Sequence, residues 1–369
     1  MSDGPRALLR SAIDAAFASV DRGVERSAVD EGFLATLGIA GWQIGNSASV
    51  LAEEAGRPGL PSTHIENACA SGGFALRAGA QAVAAGRDLV LVAGVEKMTD
   101  APSARRRYWL GVSGDTEWER LAGLTFAGVY GLIAARHAAE FGTPPEALAE
   151  VAVKNHAHAA KNPNAQFRTP ISRDEWARSP RVADPLGLLD CCPVTDGAAA
   201  VLLAGEDVAR HYTDTPVILA GLGAGSDYLA LQERASMTSL AATRTAAAEA
   251  FRGAPFDRGA IQLVEAHDCF TIAELVALED LGFAPPGGAA ALTLEGATRL
   301  GGRLPVNPDG GLKAKGHPIG ATGVSQVHEI FQQLRSAAGG RQVAGAERAL
   351  AQNVGGSGAT ATVTLFARG

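Results

Sequence analysis

The chain has 369 residues, 47% hydrophobic and 19% charged, which excludes a disordered polypeptide and allows a core that needs no disulfide or metal staple. Thirty-two Lys and Arg against 39 Asp and Glu leave a formal net charge of −7, which argues against nucleic acid as a partner. Glycine is 45 of 369 residues, about 12% against a usual share near 7%. It has no three-residue period, so collagen is excluded and the excess points to tight turns and close backbone approach.

No segment reads as an uncharged apolar membrane span. The N-terminal stretch MSDGPRALLRSAIDAAFASVDRG carries early acids and no apolar signal core, and Phe366-Ala367-Arg368-Gly369 is no peroxisomal address, so a cytoplasmic location is expected. Cys69, Cys191, Cys192 and Cys269 are then expected to be thiols rather than disulfides.

Residues 5–20 predict an amphipathic helix and 30–37 a short strand. A helix over 42–56 ends at Gly56-Arg57-Pro58, and 62–66 is a short extended run. Residues 70–86 form a small-residue helix before the continuous apolar strand 88–94. This rhythm predicts a parallel, buried sheet. Residues 101–187 break it: they are richer in charge, hold Trp109, Trp118 and Trp176, and read as a largely helical insertion. The α/β pattern resumes at 197–204. Strands follow at 217–220 and 261–265, helices at 241–253, 271–282 and about 320–336, and two last strands around 348–353 and 359–366. Each half therefore reads as a similar five-strand α/β layer, divided as 1–205, with the insertion at about 101–187, and 206–369.

Four segments place Gly, His or Cys at strand ends or helix starts, where sites in α/β sheets lie. In Asn67-Ala68-Cys69-Ala70-Ser71-Gly72-Gly73, a thiol at the start of a helix is expected to have a lowered pKa and to act as a nucleophile; a buried structural cysteine is the competing reading. Ala266-His267-Asp268-Cys269-Phe270 offers acid/base groups or metal ligands. Zinc needs further Cys or His at suitable spacing, and none lies near, so no metal site is expected; a packed loop with a satisfied His is the alternative. Residues 307–323, NPDGGLKAKGHPIGATG, hold His317 on a glycine-rich loop that is neither a Walker loop nor a Rossmann fingerprint; a rigidly held His suits a general base. Gln352-Asn353-Val354-Gly355-Gly356-Ser357-Gly358 can present backbone N–H groups to an oxyanion, or simply be a tight hairpin.

These four segments, in this order, resemble the thiolase family over nearly the whole chain. The likeness is greatest to the sterol-carrier-protein type and its bacterial and archaeal relatives, which carry a His-Asp-Cys-Phe loop where other thiolases have Asn-Glu-Ala-Phe. Residues 162–168 and 184–191 also look like that group. The resemblance implies a thiolase fold: two α/β halves in five layers, α-β-α-β-α, with a helical loop domain. It implies an acyl-CoA C-acyltransferase that condenses two acyl-CoA molecules or cleaves a 3-ketoacyl-CoA.

Carried over residue by residue, the resemblance makes Cys69 the nucleophile, His317 its base and Cys269 the second acid/base. His267 lies at one oxyanion site, and the backbone N–H groups of Cys69 and Gly355 form the other. Coenzyme A is then a substrate rather than a resident cofactor, and a homodimer or homotetramer is implied. The alternatives are a thiolase-like C–C lyase or acyltransferase that depends on a small zinc-bearing OB-fold (DUF35-like) partner, or a non-catalytic subunit of such a complex.

Two departures stand out. Many thiolases place the second Cys where this chain has Asn353, and Cys269 replaces it. The family also opens with a strand, expected to be central in the first sheet, whereas this chain opens almost directly with helix 5–20; on that pattern it falls one strand short. Arg105-Arg106-Arg107 is read as a solvated run or a CoA-phosphate contact, His156 and His158 as facing different ways on a helix, Cys191-Cys192 as packed thiols, and His64 and His328 as packing residues.

Overall fold

The structure, a computed structural model, describes residues 4–369. Helix α1 (Pro5–Ala18) has Pro in its first turn, where a fixed φ and a missing N–H are tolerated, and buries Leu9, Ile13 and Phe17 at four-residue spacing. It leads into β1 (Glu31–Ala35), α2 (Ser47–Glu54), β2 (Ser62–Ile65), α3 (Ser71–Ala84) and β3 (Leu89–Glu96). All eight residues of β3 are buried, which is why it reads as one apolar run.

The insertion contains α4 (Ser103–Gly111), α5 (Phe126–Phe141), α6 (Pro145–Ala159), α7 (Arg173–Ala177) and a small hairpin, β4 (Arg181–Ala183) with β5 (Leu186–Gly187). Then come β6 (Gly197–Ala204), α8 (Glu206–Tyr212), β7 (Val217–Ser226), α9 (Ala241–Arg252), β8 (Leu263–Glu265), α10 (Thr271–Asp280), α11 (Ala289–Leu294), α12 (Thr322–Leu334), β9 (Arg348–Gly355) and β10 (Thr360–Arg368).

Two four-stranded sheets result, ordered β2-β1-β3-β6 and β7-β10-β9-β8. They are mixed rather than parallel: β6 runs antiparallel to β3, and β10 runs antiparallel to both β9 and β7. The expected fifth strand of the second half is a single bridge, Val264 with Val306.

The expected gap at the centre of the first sheet is absent, because β1 pairs directly with both β2 and β3. The difference between the halves lies at an edge. In the second sheet β10 is covered by β7. In the first, β6 has β3 on one side and, among the described residues, no strand on the other. That edge opens on a groove of about 1020 Å³ between α1, α12 and the start of β7. His328, expected to pack, is exposed and lines this groove.

Helices α3 and α12 form the layer between the sheets, with α1 and α2 outside the first and α9 and α10 outside the second. Two glycines allow α3 and α12 to touch backbone to backbone. A Cβ on Gly72 would stand 2.8 Å from the Gly323 Cα, and one on Gly323 would stand 2.4 Å from the Gly73 nitrogen. Part of the glycine excess therefore serves helix packing.

Candidate active site

Cys69 sits between β2 and α3, one residue before the Ala70 cap. The turn is tight: Ala68 has φ +49°, a left-handed conformation unusual for Ala. Ser71 holds it from inside the helix, its hydroxyl donating to the Ala68 carbonyl (2.6 Å) and accepting from the Asn67 N–H (2.9 Å). Asn353 braces it from β9, its Nδ2 donating to the Cys69 carbonyl (2.9 Å) and its Oδ1 accepting from the Gly73 N–H (3.0 Å).

The expected lowering of the Cys69 pKa is reversed. Burial pushes the thiol up to about 12, and the Gly356 N–H, which points at the sulfur, offsets only part of that. The thiol is therefore neutral near pH 7 and needs a base. The amide facing it is that of Gly356, one residue beyond the Gly355 named from sequence.

His317 supplies the basic atom. Its Nδ1 lies 2.7 Å from the Thr322 Oγ1, and that hydroxyl donates its one proton to the Pro318 carbonyl (3.1 Å). The hydrogen-bond network thus assigns the ring proton to Nδ1 and leaves a bare lone pair on Nε2. The His317 N–H donates to the Thr195 Oγ1 (2.9 Å), which fixes the loop. Burial lowers the imidazole pKa to about 3, so it is neutral and able to accept.

His267 packs edge-on against His317, with ring centroids 5.1 Å apart. The Asn353 Nδ2 donates to its Nδ1 (3.3 Å), a long bond that places the ring proton on Nε2. Burial and the neighbouring His317 hold its pKa well below the usual range. The two Nε2 atoms are buried without a protein partner. Cys69, His267 and His317 converge, with one ligand-type atom from each within 4.8 Å of the others. Beyond Cys269, no further Cys or His lies near His267 in sequence, which is why no metal site is expected there; the fold brings one of each, Cys69 and His317, from 198 and 50 residues away along the chain.

Cys269 is buried beside Tyr130, and burial pushes its thiol well up. Phe270 stacks on the Tyr130 ring at 4.6 Å.

Beneath these residues lies a polar network that sequence reasoning missed. Asp268 turns away from the sulfurs. It accepts from the N–H groups of Leu312 (2.6 Å) and Lys313 (3.3 Å) and from the Asn155 Nδ2 (2.6 Å), binding the 266–270 loop to the glycine-rich loop and to α6. A Cβ on Gly311 would stand 2.3 Å from this carboxylate. Asn155 and Asn307 also donate to Glu274 (2.9 Å each), which pairs with Lys154 (2.8 Å). In the first half, buried Glu96 accepts from Leu37, Ala40 and Gly320 N–H groups (2.9, 2.9 and 3.2 Å). The available signal was Lys154 and Glu274 at core-facing positions of α6 and α10.

The remaining candidates resolve as supports. His156 meets the Lys313 Nζ (3.2 Å), and His158 bonds the Asn307 carbonyl and the Leu300 N–H (2.9 Å each). Arg105 bonds the Gly41 carbonyl (2.6 Å) and Arg106 that of Thr99 (3.0 Å). All four cysteines are free.

Known proteins match this chain in sequence and fold. The family model "Thiolase, N-terminal domain" matches residues 3–207 and "Thiolase C-terminal domain-like" matches 223–368. The chain is 47% identical over 351 residues to an acetyl-CoA acetyltransferase of Methanothermobacter thermautotrophicus, covering 94% of this chain and 91% of that one. It is 36% identical to sterol carrier protein 2 of Gallus gallus, covering 95% of this chain and 66% of that longer protein. Among solved structures, the Ltp2-ChsH2(DUF35) aldolase superposes with a TM-score of 0.86 at 24% identity, over 99% of this chain and 94% of that one. Human mitochondrial 3-ketoacyl-CoA thiolase does so at 0.74 and 17%, over 99% and 93%. With family models over both halves and a relative at 47% identity along nearly its whole length, the chain belongs to the thiolase family.

Proposed function

We propose that the protein is an acyl-CoA C-acyltransferase of the thiolase type, working through an acyl thioester on Cys69. The observation that carries the reading is the convergence of a neutral thiol, a bare imidazole nitrogen and an N–H-bearing imidazole nitrogen at one point.

In this reading the His317 Nε2 takes the Cys69 proton as the sulfur attacks the thioester carbonyl of an acyl-CoA. The carbonyl electrons collect on oxygen, which backbone N–H groups of Cys69 and the Gly355–Gly356 turn stabilise. Collapse expels the CoA thiolate, which His317 protonates. In the condensing direction Cys269 first loses its proton to solvent; as thiolate it removes a proton from the α-carbon of a second acyl-CoA, and the His267 Nε2–H stabilises the resulting enolate oxygen. The carbanion attacks the Cys69 thioester and expels the Cys69 thiolate, which recovers the proton held on Cys269 and leaves a 3-ketoacyl-CoA as product; thiolysis is the reverse. CoA esters are substrates, with no resident cofactor needed, and a homodimer or homotetramer is the expected assembly.

The test is acetoacetyl-CoA with CoA, followed by loss of the 3-ketoacyl chromophore. Cys69→Ala is expected to lower kcat by at least about a thousandfold. Cys269→Ala should lose condensation while mass spectrometry still finds acyl-Cys69. Thiolysis surviving Cys69→Ala sinks the assignment. An inactive wild type that gains C–C lyase activity on adding a small OB-fold, DUF35-like protein favours the partner-dependent reading; a retro-aldol lyase has no use for a nucleophilic Cys69, which weighs against it.

A further inference from the structure

We propose that Cys69, His267 and His317 also form a binding site for one zinc-class divalent cation, which shuts the reactive centre. The three side chains come from two halves and three loops, so no spacing motif reveals them. Their ligand-type atoms already lie within 4.8 Å of one another. Zinc holds ligands at about 2.0–2.3 Å, so small side-chain rotations bring all three into a tetrahedral set. A thiolate with two imidazoles is a donor set zinc favours over magnesium or calcium.

The polar atoms needed are free. The Nε2 of His317 and of His267 are buried and bond no other protein atom. His317 is primed, because Thr322 holds its proton on Nδ1, the outer-shell arrangement seen behind metal-bound histidines. His267 must move its proton from Nε2 to Nδ1, which ends the long Asn353 bond of 3.3 Å and sets two N–H donors face to face, so the ring rotates off Asn353 as it turns to the metal. Thr322 keeps the His317 ring fixed throughout. The fourth position falls to water.

Binding is a substitution that balances: hydrated zinc sheds water to two neutral imidazoles and to the Cys69 sulfur, whose proton passes to solvent. One proton is released per metal, so affinity rises with pH. The metal removes the nucleophile and its base together. Asp268 faces Leu312 and Lys313 instead and takes no part, and Lys315 is paired with Asp309.

The site rests on geometry and not on the acyltransferase reading, so its experiment reads binding. Reduced, chelator-treated full-length protein is titrated with zinc chloride by calorimetry, and with cobalt chloride by absorbance. The expected result is one metal per chain, a thiolate-to-cobalt charge-transfer band, and protection of Cys69 from iodoacetamide. Cys69→Ala and His317→Ala should each weaken zinc by at least about tenfold, no less than loss of an outer-shell partner costs. Cys269→Ala and Cys191→Ala should bind as the wild type does. Circular dichroism of each variant separates ligand loss from misfolding, and the cobalt band on folded wild type stands without any variant. Unchanged stoichiometry and affinity in folded Cys69→Ala, or alkylation of Cys69 unaffected by zinc, overturns the proposal.

Discussion

The two halves repeat one plan and diverge at corresponding edges. In the second half β10 lies between β9 and β7, and β7 carries Gly221, Gly223 and Gly225 where α9 presses on it; a Cβ at any of the three would stand within 2.5 Å of an α9 carbonyl oxygen. In the first half α1 packs directly on β6, whose outer edge meets the groove. The sequence of β6, Gly-Ala-Ala-Ala-Val-Leu-Leu-Ala, has no charge or proline to blunt an edge. The halves also divide the chemistry: the first gives one sulfur on a helix start, the second gives His267, Cys269 and His317 on loops locked by buried polar groups. An edge is cheap to leave open; a set of reacting groups is not cheap to leave loose.

The largest contrast is expected in hydrogen exchange. The outward amides of β6 should exchange at least about a thousandfold faster than those of β10, since exposed edges open locally while doubly paired strands approach global unfolding. Equal protection breaks the comparison and means that another strand, from this chain or a partner, covers β6.

The contact that joins the halves gives the next effect. Gly323→Ala puts a methyl 2.4 Å from the Gly73 nitrogen and the Asn353 Oδ1, with backbone on one side that cannot yield. About 3 kcal/mol of stability should be lost, seen as a lower denaturation midpoint with an unchanged slope. Gly253→Ala, at the end of α9 with φ −99° and open space around it, should be neutral or slightly stabilising. Equal losses would show that the α3–α12 crossing has slack.

What the sequence made legible follows from the physics of each feature. The strand and helix order was readable because buried β3 is apolar end to end and α1 keeps a four-residue stripe. Cys69, His267, Cys269 and His317 stood out because each sits on a loop where a sheet ends. Sheet order is not readable locally: the expectation puts the difference between the halves at the centre of the first sheet, and among the described residues it lies at the edge. The direction of the Cys69 shift is not legible because helix position shows in sequence and enclosure, which raises the thiol pKa, does not. The Asp268 contacts were hidden because Asn155 lies 113 residues away.

The smallest effect compares two buried carboxyls that serve the same purpose in opposite halves. Burial raises Glu96 from 4.5 to about 7, and Asp268 from 3.8 to about 7. Each therefore keeps its proton in the folded protein at pH values where the unfolded chain has lost it. The native state binds more protons between about 4.5 and 7, so for Glu96 stability falls as pH rises through that window and is level above it. Glutamine at 96 carries no such penalty, though its single oxygen replaces only part of the bonds to Leu37, Ala40 and Gly320. Glu96→Gln should thus be less stable than wild type near pH 5 and should close about 2 kcal/mol of that gap by about pH 8. The Asp268 share of the slope remains in the variant, which separates the two halves. A gap between wild type and Glu96→Gln that stays constant across the window would show that Glu96 is ionised throughout, held by its three N–H donors against the cost of burial.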